Sequence, residues 1–287
     1  MDLLHTRNEL AAWRRGLTAN RPLALVPTMG ALHAGHLAHV AAARAAGAGT
    51  VLVSVFVNPT QFDDPADLLA YPRTLDADAA ACRDAGVDAV FAPAAEAVYP
   101  PGAPAAAVDV PALTAGLGLE DAHRPGHFAG VARVVTKLLA LCRPELATFG
   151  RKDLQQLRLV QALAADLCLG VDVVEVPTLR EPDGLAMSSR NARLGPAARE
   201  AATALSAALA AAHAAGGSDA GAALRARLAA EPRVEVEYAT VRDAATLAAP
   251  GAPDTPLAAL VAARVGGVRL IDNLLLGEPL PAELHHR

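Results

Sequence analysis

The chain has 287 residues, 25 of them lysine or arginine and 30 aspartate or glutamate, for a formal net charge of -5; this is an ordinary globular composition, long enough for two domains. With neither a basic stripe nor a lysine-rich tail, nucleic-acid binding is not expected, and no run of about 20 strongly apolar residues points to a membrane span. No charged, apolar leader opens the chain, so the expected setting is the cytoplasm. Cys82, Cys142 and Cys168 are odd in number, far apart and set among apolar neighbours, which fits reduced thiols better than disulfides or metal ligands.

The sequence is skewed toward Ala, Arg, Leu and Gly, so its rare residues rank the candidate positions. Lys137 and Lys152 are the only lysines, Met29 and Met187 the only methionines after Met1, and Ser188 and Ser189 are adjacent. Asn58, Gln61, Gln155 and Gln156 concentrate where the chain looks least like filler.

Residues 1 to 20 read as a short helix with Trp13 on its apolar side, and a strand follows at about 22 to 27. Pro27-Thr28-Met29-Gly30-Ala31-Leu32-His33-Ala34-Gly35-His36 then reads as strand, glycine turn and helix start. Gly30 allows a positive φ, and Gly35 lets a ligand approach the first turn closely. Unpaired N–H groups at that helix start, with the dipole, make an anion site. His33 and His36 share a helix face, either capping the helix or aimed at one bound group. No third ligand sits at a recognisable spacing, which disfavours a metal on this pair.

The helix runs to about Ala46, and Thr50 to Val57 is a continuous β-branched run, as in a parallel sheet covered on both faces. At its carboxyl end, where such sheets bind ligands, Asn58 and Gln61 project two amides, which serve either a turn or a ligand. Thr74 is the expected N-cap of a helix carrying Asp76 and Asp78, whose carboxylates suit a helix start, with a metal role as the alternative. A strand at Val87 to Phe91 and a short extended Val108-Asp109-Val110 follow. Arg124 lies in the loop before a helix whose stripe is Val131, Val134, Val135, Leu138 and Leu139, with Arg133 and Lys137 read as solvated on its other face.

Glu145 to Phe149 is a further strand, and Gly150-Arg151-Lys152-Asp153 opens the next helix, where Lys152, Asp153 and Gln156 can share a face. A lysine opposes the dipole there, so it calls for a partner such as a phosphate. After a last strand at Val171 to Val176, the polar loop Thr178 to Asn191 sets Ser188 and Ser189 beside Arg190, a donor cluster suited to a triphosphate. Two Ala-rich helices (about 196 to 215 and 218 to 230) precede β-like runs near 234 to 241, 257 to 265 and 268 to 275, with Gly266-Gly267 as a hairpin turn. The expected architecture is a doubly wound α/β parallel sheet over residues 1–178 and a smaller α+β domain over 179–287 that closes over the active site. Neither a G-x-G-x-x-G nor a G-x-x-x-x-G-K-[ST] motif occurs, which disfavours dehydrogenase and P-loop readings and favours nucleotidyl transfer.

Pro27 to His36, Phe56 to Phe62, Tyr71 to Thr74, Arg124 to Val131, Phe149 to Gln156 and Arg180 to Asn191 together resemble the pantothenate synthetase family of ATP-dependent pantoate–β-alanine ligases. The resemblance implies a Rossmann-like nucleotidyltransferase fold, a homodimer and the substrates ATP, pantoate and β-alanine. It implies that pantoate attacks the α-phosphorus of MgATP and that β-alanine then takes the pantoyl group from the adenylate. By the same resemblance Met29 to His36 line the ATP phosphates, His36 donates a proton and His33 supports it. Gly150 to Asp153 and Met187 to Arg190 are the further ATP segments, and Leu179 offers a main-chain contact to adenine. Gln61 and Gln156 hold pantoate, Gln61 also receives β-alanine, and Asn58, Tyr71 and Arg124 join the substrate site; Asp78 is the candidate Mg2+ ligand. Lys152, Ser188, Ser189, Arg190 and His36 are donors for the charge that builds on the α-phosphate. Three departures stand out: Ala34 for an acidic residue, Arg151 for a glutamate, and Glu120-Asp121 for a Glu-Gly pair. The competing readings are an adenylyltransferase for another acceptor and a non-catalytic nucleotide-binding regulator.

Overall fold

β-Branched and alanine-rich runs pair in register in a computed structural model of the chain, which describes residues 1–18, 21–251 and 254–285. Six strands form one parallel sheet: β1 (Asp2–Leu4), β2 (Leu23–Thr28), β3 (Thr50–Val55), β4 (Ala89–Phe91), β5 (Leu146–Gly150) and β6 (Asp172–Val176), in the order β1-β4-β3-β2-β5-β6. β3 is buried from Thr50 to Ser54, as a strand covered on both faces must be. The winding runs outward from β2 through β3 to β4, then resumes on the other side with β5 and β6. The loops leaving the carboxyl ends of β2 and β5 therefore part at the point where open α/β sheets bind ligands. Ala24, Val26, Val51, Val53 and Val90 pack against Val40, Ala43 and Cys82 in the core beneath.

These strands belong to a first compact unit of Met1–Thr114, Arg124–Gly150 and Gln156–Val176. β1 has no periodicity to betray it, being three residues long; it is a strand only because it pairs with β4, Leu3 opposite Val90. The expected helix at the N-terminus is Arg7–Arg15, and Val108 to Val110 forms no strand. In helix His127–Cys142 the stripe of Val131, Val134, Val135, Leu138 and Leu139 is buried. Arg133 and Lys137 are not simply solvated. Their cationic groups lie 4.8 and 5.4 Å from the centre of the Tyr99 ring, within cation–π range. Burial pushes the Cys82 and Cys142 thiols up, to about 11 and about 12, whereas Cys168 is exposed, contrary to the apolar surroundings expected of it.

The second unit comprises Ala115–His123, Arg151–Gln155 and the chain from Pro177 onward. Two pieces of the expected 1–178 domain thus cluster with the C-terminal part. Its sheet is antiparallel, β7 (Val234–Asp243), β8 (Leu257–Val265) and β9 (Val268–Leu276) in that order. Gly266 and Gly267, with φ of 55° and 78°, supply the two left-handed residues that a tight β8–β9 hairpin turn requires. Helices Pro196–Ala215 and Ala220–Ala229 bury Leu205, Leu209, Leu224 and Leu228 in one cluster with Val261, Val265 and Leu270.

Helix His127–Cys142 approaches the turn Pro59–Gln61 through Gly130, where a Cβ would lie 2.0 Å from the Thr60 carbonyl oxygen. Backbone cannot yield as a flexible side chain can. Gly130→Ala is expected to cost at least about 1–3 kcal/mol, read as a lower urea midpoint for unfolding.

Candidate active site

The turn after β2 is shaped by a carboxylate. Asp78 is 2% exposed; its Oδ2 accepts from the Ala31 N–H (3.1 Å) and the Thr74 hydroxyl (3.2 Å), and its Oδ1 accepts from the Leu32 N–H (2.8 Å). Thr74 sits at the N-cap but makes no side-chain cap bond, its hydroxyl being spent on Asp78. Gly30 takes φ of 84°, and a Cβ there would lie 2.9 Å from Asp78 Oδ2. The N–H groups of Ala31 and Leu32 thus face the Asp78 carboxylate, which also accepts from Thr74. Among the described residues no group of three His, Cys, Asp or Glu could hold a metal ion.

The histidine pair caps helix Ala34–Ala45, and the capping sets its chemistry. His33 Nδ1 accepts from the Gly35 N–H at 3.1 Å, and His36 Nδ1 accepts from the His33 N–H at 3.3 Å, with the ring centres 4.1 Å apart. A nitrogen that accepts a hydrogen bond cannot carry the proton, so each neutral ring carries it on Nε2 and is a donor there. His39, one turn on, bonds Thr148 through Nδ1 at 3.1 Å, and its Nε2 lies where a Cβ on Gly150 would come within 3.3 Å.

At the end of β3, Asn58 is 1% exposed and its amide is fully used: Nδ2 donates to Gln61 Oε1 (2.9 Å) and to the Gly130 carbonyl (3.3 Å), and Oδ1 accepts from Thr60 and from the Tyr99 hydroxyl (2.8 Å). The Asn58 amide thereby fixes the orientation of the Gln61 side chain. With Oε1 held, Gln61 turns its NH2 toward the Met29 sulfur at 3.3 Å. Arg124 braces the same loop, donating to Asp63 (3.2 Å) and the Gln61 carbonyl (3.4 Å), which also meets His127 Nδ1 at 2.7 Å. Tyr71 is buried edge-on against Phe62, ring centres 5.7 Å apart. Gln156, half-buried in helix Leu154–Asp166, makes no side-chain hydrogen bond among the described residues.

In the second unit, Arg151–Asp153 is a single 3-10 turn. Lys152 is half-buried there, and among the described residues its ammonium has no ion pair. Arg151 pairs with Glu278 at 2.7 Å, so its charge is answered locally. The Met187 N–H donates to the Leu179 carbonyl at 2.9 Å, bringing the two loop segments together, and Ser188 caps the turn Ser189–Arg193 by accepting from the Arg190 N–H at 3.2 Å. Ser188 keeps its O–H as a donor. Arg180, 6% exposed, holds this loop with a two-point pair to Asp272 (2.6 and 3.0 Å) and bonds to the Gly184 and Asn273 carbonyls. Glu181 accepts from Asn191 and Arg199, which hold its carboxyl below the usual range against the opposing effect of burial; the Arg199 bond is the largest influence.

The family model for pantoate-beta-alanine ligase matches residues 2–275. The chain belongs to the pantoate–β-alanine ligase family. It is 53% identical to the pantothenate synthetase of Thioalkalivibrio sulfidiphilus, over 97% of this chain and 99% of the relative, and 50% identical to that of Mycolicibacterium smegmatis, over 93% and 85%. The crystal structure of pantothenate synthetase from Thermus thermophilus superposes with a TM-score of 0.87 at 42% identity, covering 96% of this chain and 99% of that one. A pantoate-beta-alanine ligase structure from Francisella tularensis, complexed with beta-gamma ATP and beta-alanine, superposes with 0.79 at 30% identity, over 96% and 97%. Like them the chain is a ligase, with the nucleotidyltransferase-like fold of those structures.

Sequence reasoning missed Tyr99, His127, Asp272 and Asn273, which touch the candidate residues from behind. The one available signal was Asp272-Asn273, a polar pair inside the otherwise apolar end of β9. Two outcomes follow from the geometry. Tyr99→Phe removes the hydroxyl on Asn58 and is expected to lower stability by about 0.5–1.5 kcal/mol in urea unfolding while raising KM for the acid substrate. Glu181, depressed when folded, contributes stability that is complete above its unfolded value of about 4.3 and lost as pH falls through the folded value. The stability deficit of Glu181→Gln should accordingly shrink as thermal unfolding is followed from neutral pH to below about pH 4.

Proposed function

We propose that this ligase condenses pantoate with β-alanine in two steps that share one α-phosphate. A pantoate carboxylate oxygen bonds the α-phosphorus of ATP as the bond to pyrophosphate breaks. The β-alanine nitrogen then bonds the acyl carbon of pantoyl adenylate, the bond to AMP breaks, and the nitrogen loses a proton. Negative charge builds on the phosphoryl oxygens in the first step, so fixed donors accelerate it. Lys152, Ser188, Ser189, Arg190 and Nε2 of His36 are assigned to that charge, with His36 as the proton donor and His33 holding its ring. The observation that carries the assignment is the main-chain N–H donated to Nδ1 of each ring, from which the Nε2–H tautomer is inferred. Gln61, its NH2 aimed by Asn58, and Gln156 are assigned to pantoate, with Gln61 also facing β-alanine. The apolar surfaces of Met29 and Phe62 suit a gem-dimethyl group.

Mg2+ is assigned to the ATP phosphates, since Asp78 is spent on the main chain. The resemblance to the family supports a homodimer, and dependence on ATP supports the cytoplasm as its setting. An adenylyltransferase for a different acceptor is the second reading, and Gln156 separates the two. Gln156→Ala should raise KM for pantoate with ATP binding unchanged.

The decisive experiment follows pyrophosphate and AMP from MgATP and pantoate with and without β-alanine. A single burst of pyrophosphate without the amine, becoming continuous AMP-forming turnover when it is added, is expected. His36→Ala should lower turnover by roughly 10²–10⁴-fold and leave ATP binding intact. No pantoate-dependent pyrophosphate under any condition overturns the reading.

A further inference from the structure

Lys152 is held by its main chain from both ends of one short segment. On one side Asn273, 5% exposed in β9, donates both hydrogens of its amide, one to the Arg151 carbonyl (2.8 Å) and one to the Lys152 carbonyl (2.9 Å). Asn273 is itself fixed: its N–H donates to Asp272 Oδ1 at 2.8 Å, and its carbonyl accepts from Arg180 at 3.3 Å. On the other side Gln155, 3% exposed, accepts the Glu120 N–H at 3.0 Å and donates to Asp121 at 3.3 Å. Glu120 is in turn gripped by Arg269 through two bonds of 2.7 Å and by the Tyr238 hydroxyl at 2.9 Å. Arg269 and Asn273 are four residues apart on β9, so they lie on one face of that strand.

We propose that Asn273 is a positioning residue for Lys152, with the Arg269–Glu120 pair securing the other end of the same turn. The proposal rests on the reading that Lys152 acts on the α-phosphate. A lysine side chain has four rotatable bonds, and only its root can be fixed by the fold, so the direction in which the ammonium leaves the turn depends on the two carbonyls that Asn273 grips. Both hydrogens of that amide are used, so no other side chain of similar size reproduces the grip. Asn273→Asp would leave an acceptor-only carboxylate facing two carbonyl oxygens, whereas Asn273→Ser would keep one donor of the two.

The test is a double-mutant cycle on pantoate-dependent pyrophosphate release, with the full-length enzyme and ATP varied up to saturation. Lys152→Ala is expected to lose on the order of 10²–10³-fold in kcat. Asn273→Ala is expected to lose on the order of 10²-fold, mainly in kcat with KM for ATP little changed, Asn273→Ser a smaller amount, and the double variant no more than Lys152→Ala alone. Thermal unfolding of each variant runs alongside, and if Asn273→Ala does not fold, Asn273→Ser in the same cycle decides. Full additivity of the two losses, or a loss confined to stability, overturns the positioning role while leaving Lys152 in place. A silent Lys152→Ala overturns the reading of Lys152 itself and the proposal with it.

Discussion

Asp78 places its two carboxylate oxygens against the N–H groups of Ala31 and Leu32, and because a carboxylate removed from water must be hydrogen-bonded on all sides, the turn after β2 has one shape. That shape delivers the chain to His33 at the N-cap of its helix. The helix then needs acceptors for its first N–H groups, and the two imidazoles supply them. A single chain of cause therefore runs from a buried acid, through a glycine at positive φ, to the protonation pattern of two rings. Acceptance at Nδ1 is what leaves Nε2 of each neutral ring as the donor.

The amide cluster at the end of β3 obeys the same rule. An asparagine buried at 1% exposure has to satisfy a carbonyl and an NH2, and here they are met by Tyr99, Thr60, Gly130 and Gln61. What reaches outward is the amide of Gln61, with its orientation already settled. Close approach of Gly130 to the Thr60 carbonyl makes this possible, since any side chain there would push the turn away from the helix. In the second unit the polar residues of β9 play a comparable part, Asp272 for the loop of Arg180 and Asn273 for the turn of Lys152.

The buried Arg180–Asp272 pair also explains why a loop of mixed polar residues is well defined. Two opposite charges taken from water cost more than their attraction returns unless further bonds complete them. Both terminal nitrogens of Arg180 have them in the Gly184 and Asn273 carbonyls, and Asp272 in the Asn273 N–H, while Arg180 Nε is buried without a hydrogen-bond partner among the described residues. Such a pair tolerates only one register of the chain around it, and that register brings Leu179 against Met187 and sets Ser188 at its cap.

The alternation of apolar runs with helical patterns was enough for the parallel sheet, its carboxyl edge and the small antiparallel sheet, because those depend on periodicity and on glycines at turns such as Gly266-Gly267. The motif residues His33, His36, Gln61, Gln156, Lys152 and Ser188 to Arg190 could be singled out as candidates for a related reason: each lies at or near a strand end, a helix start or a short polar loop, features that local sequence displays. Only the tertiary structure decided which polar groups are spent on holding others. Asp78 meets residues 47 and 46 positions away, Asn58 meets Tyr99, and Asn273 meets Arg151 and Lys152 from more than 120 positions away. β1 exists only through its pairing with β4, and the segments Ala115–His123 and Arg151–Gln155 join the second unit only through such distant bonds. Hydrophobic period is a local property of a chain, whereas the satisfaction of a buried polar atom depends on whatever the fold brings against it.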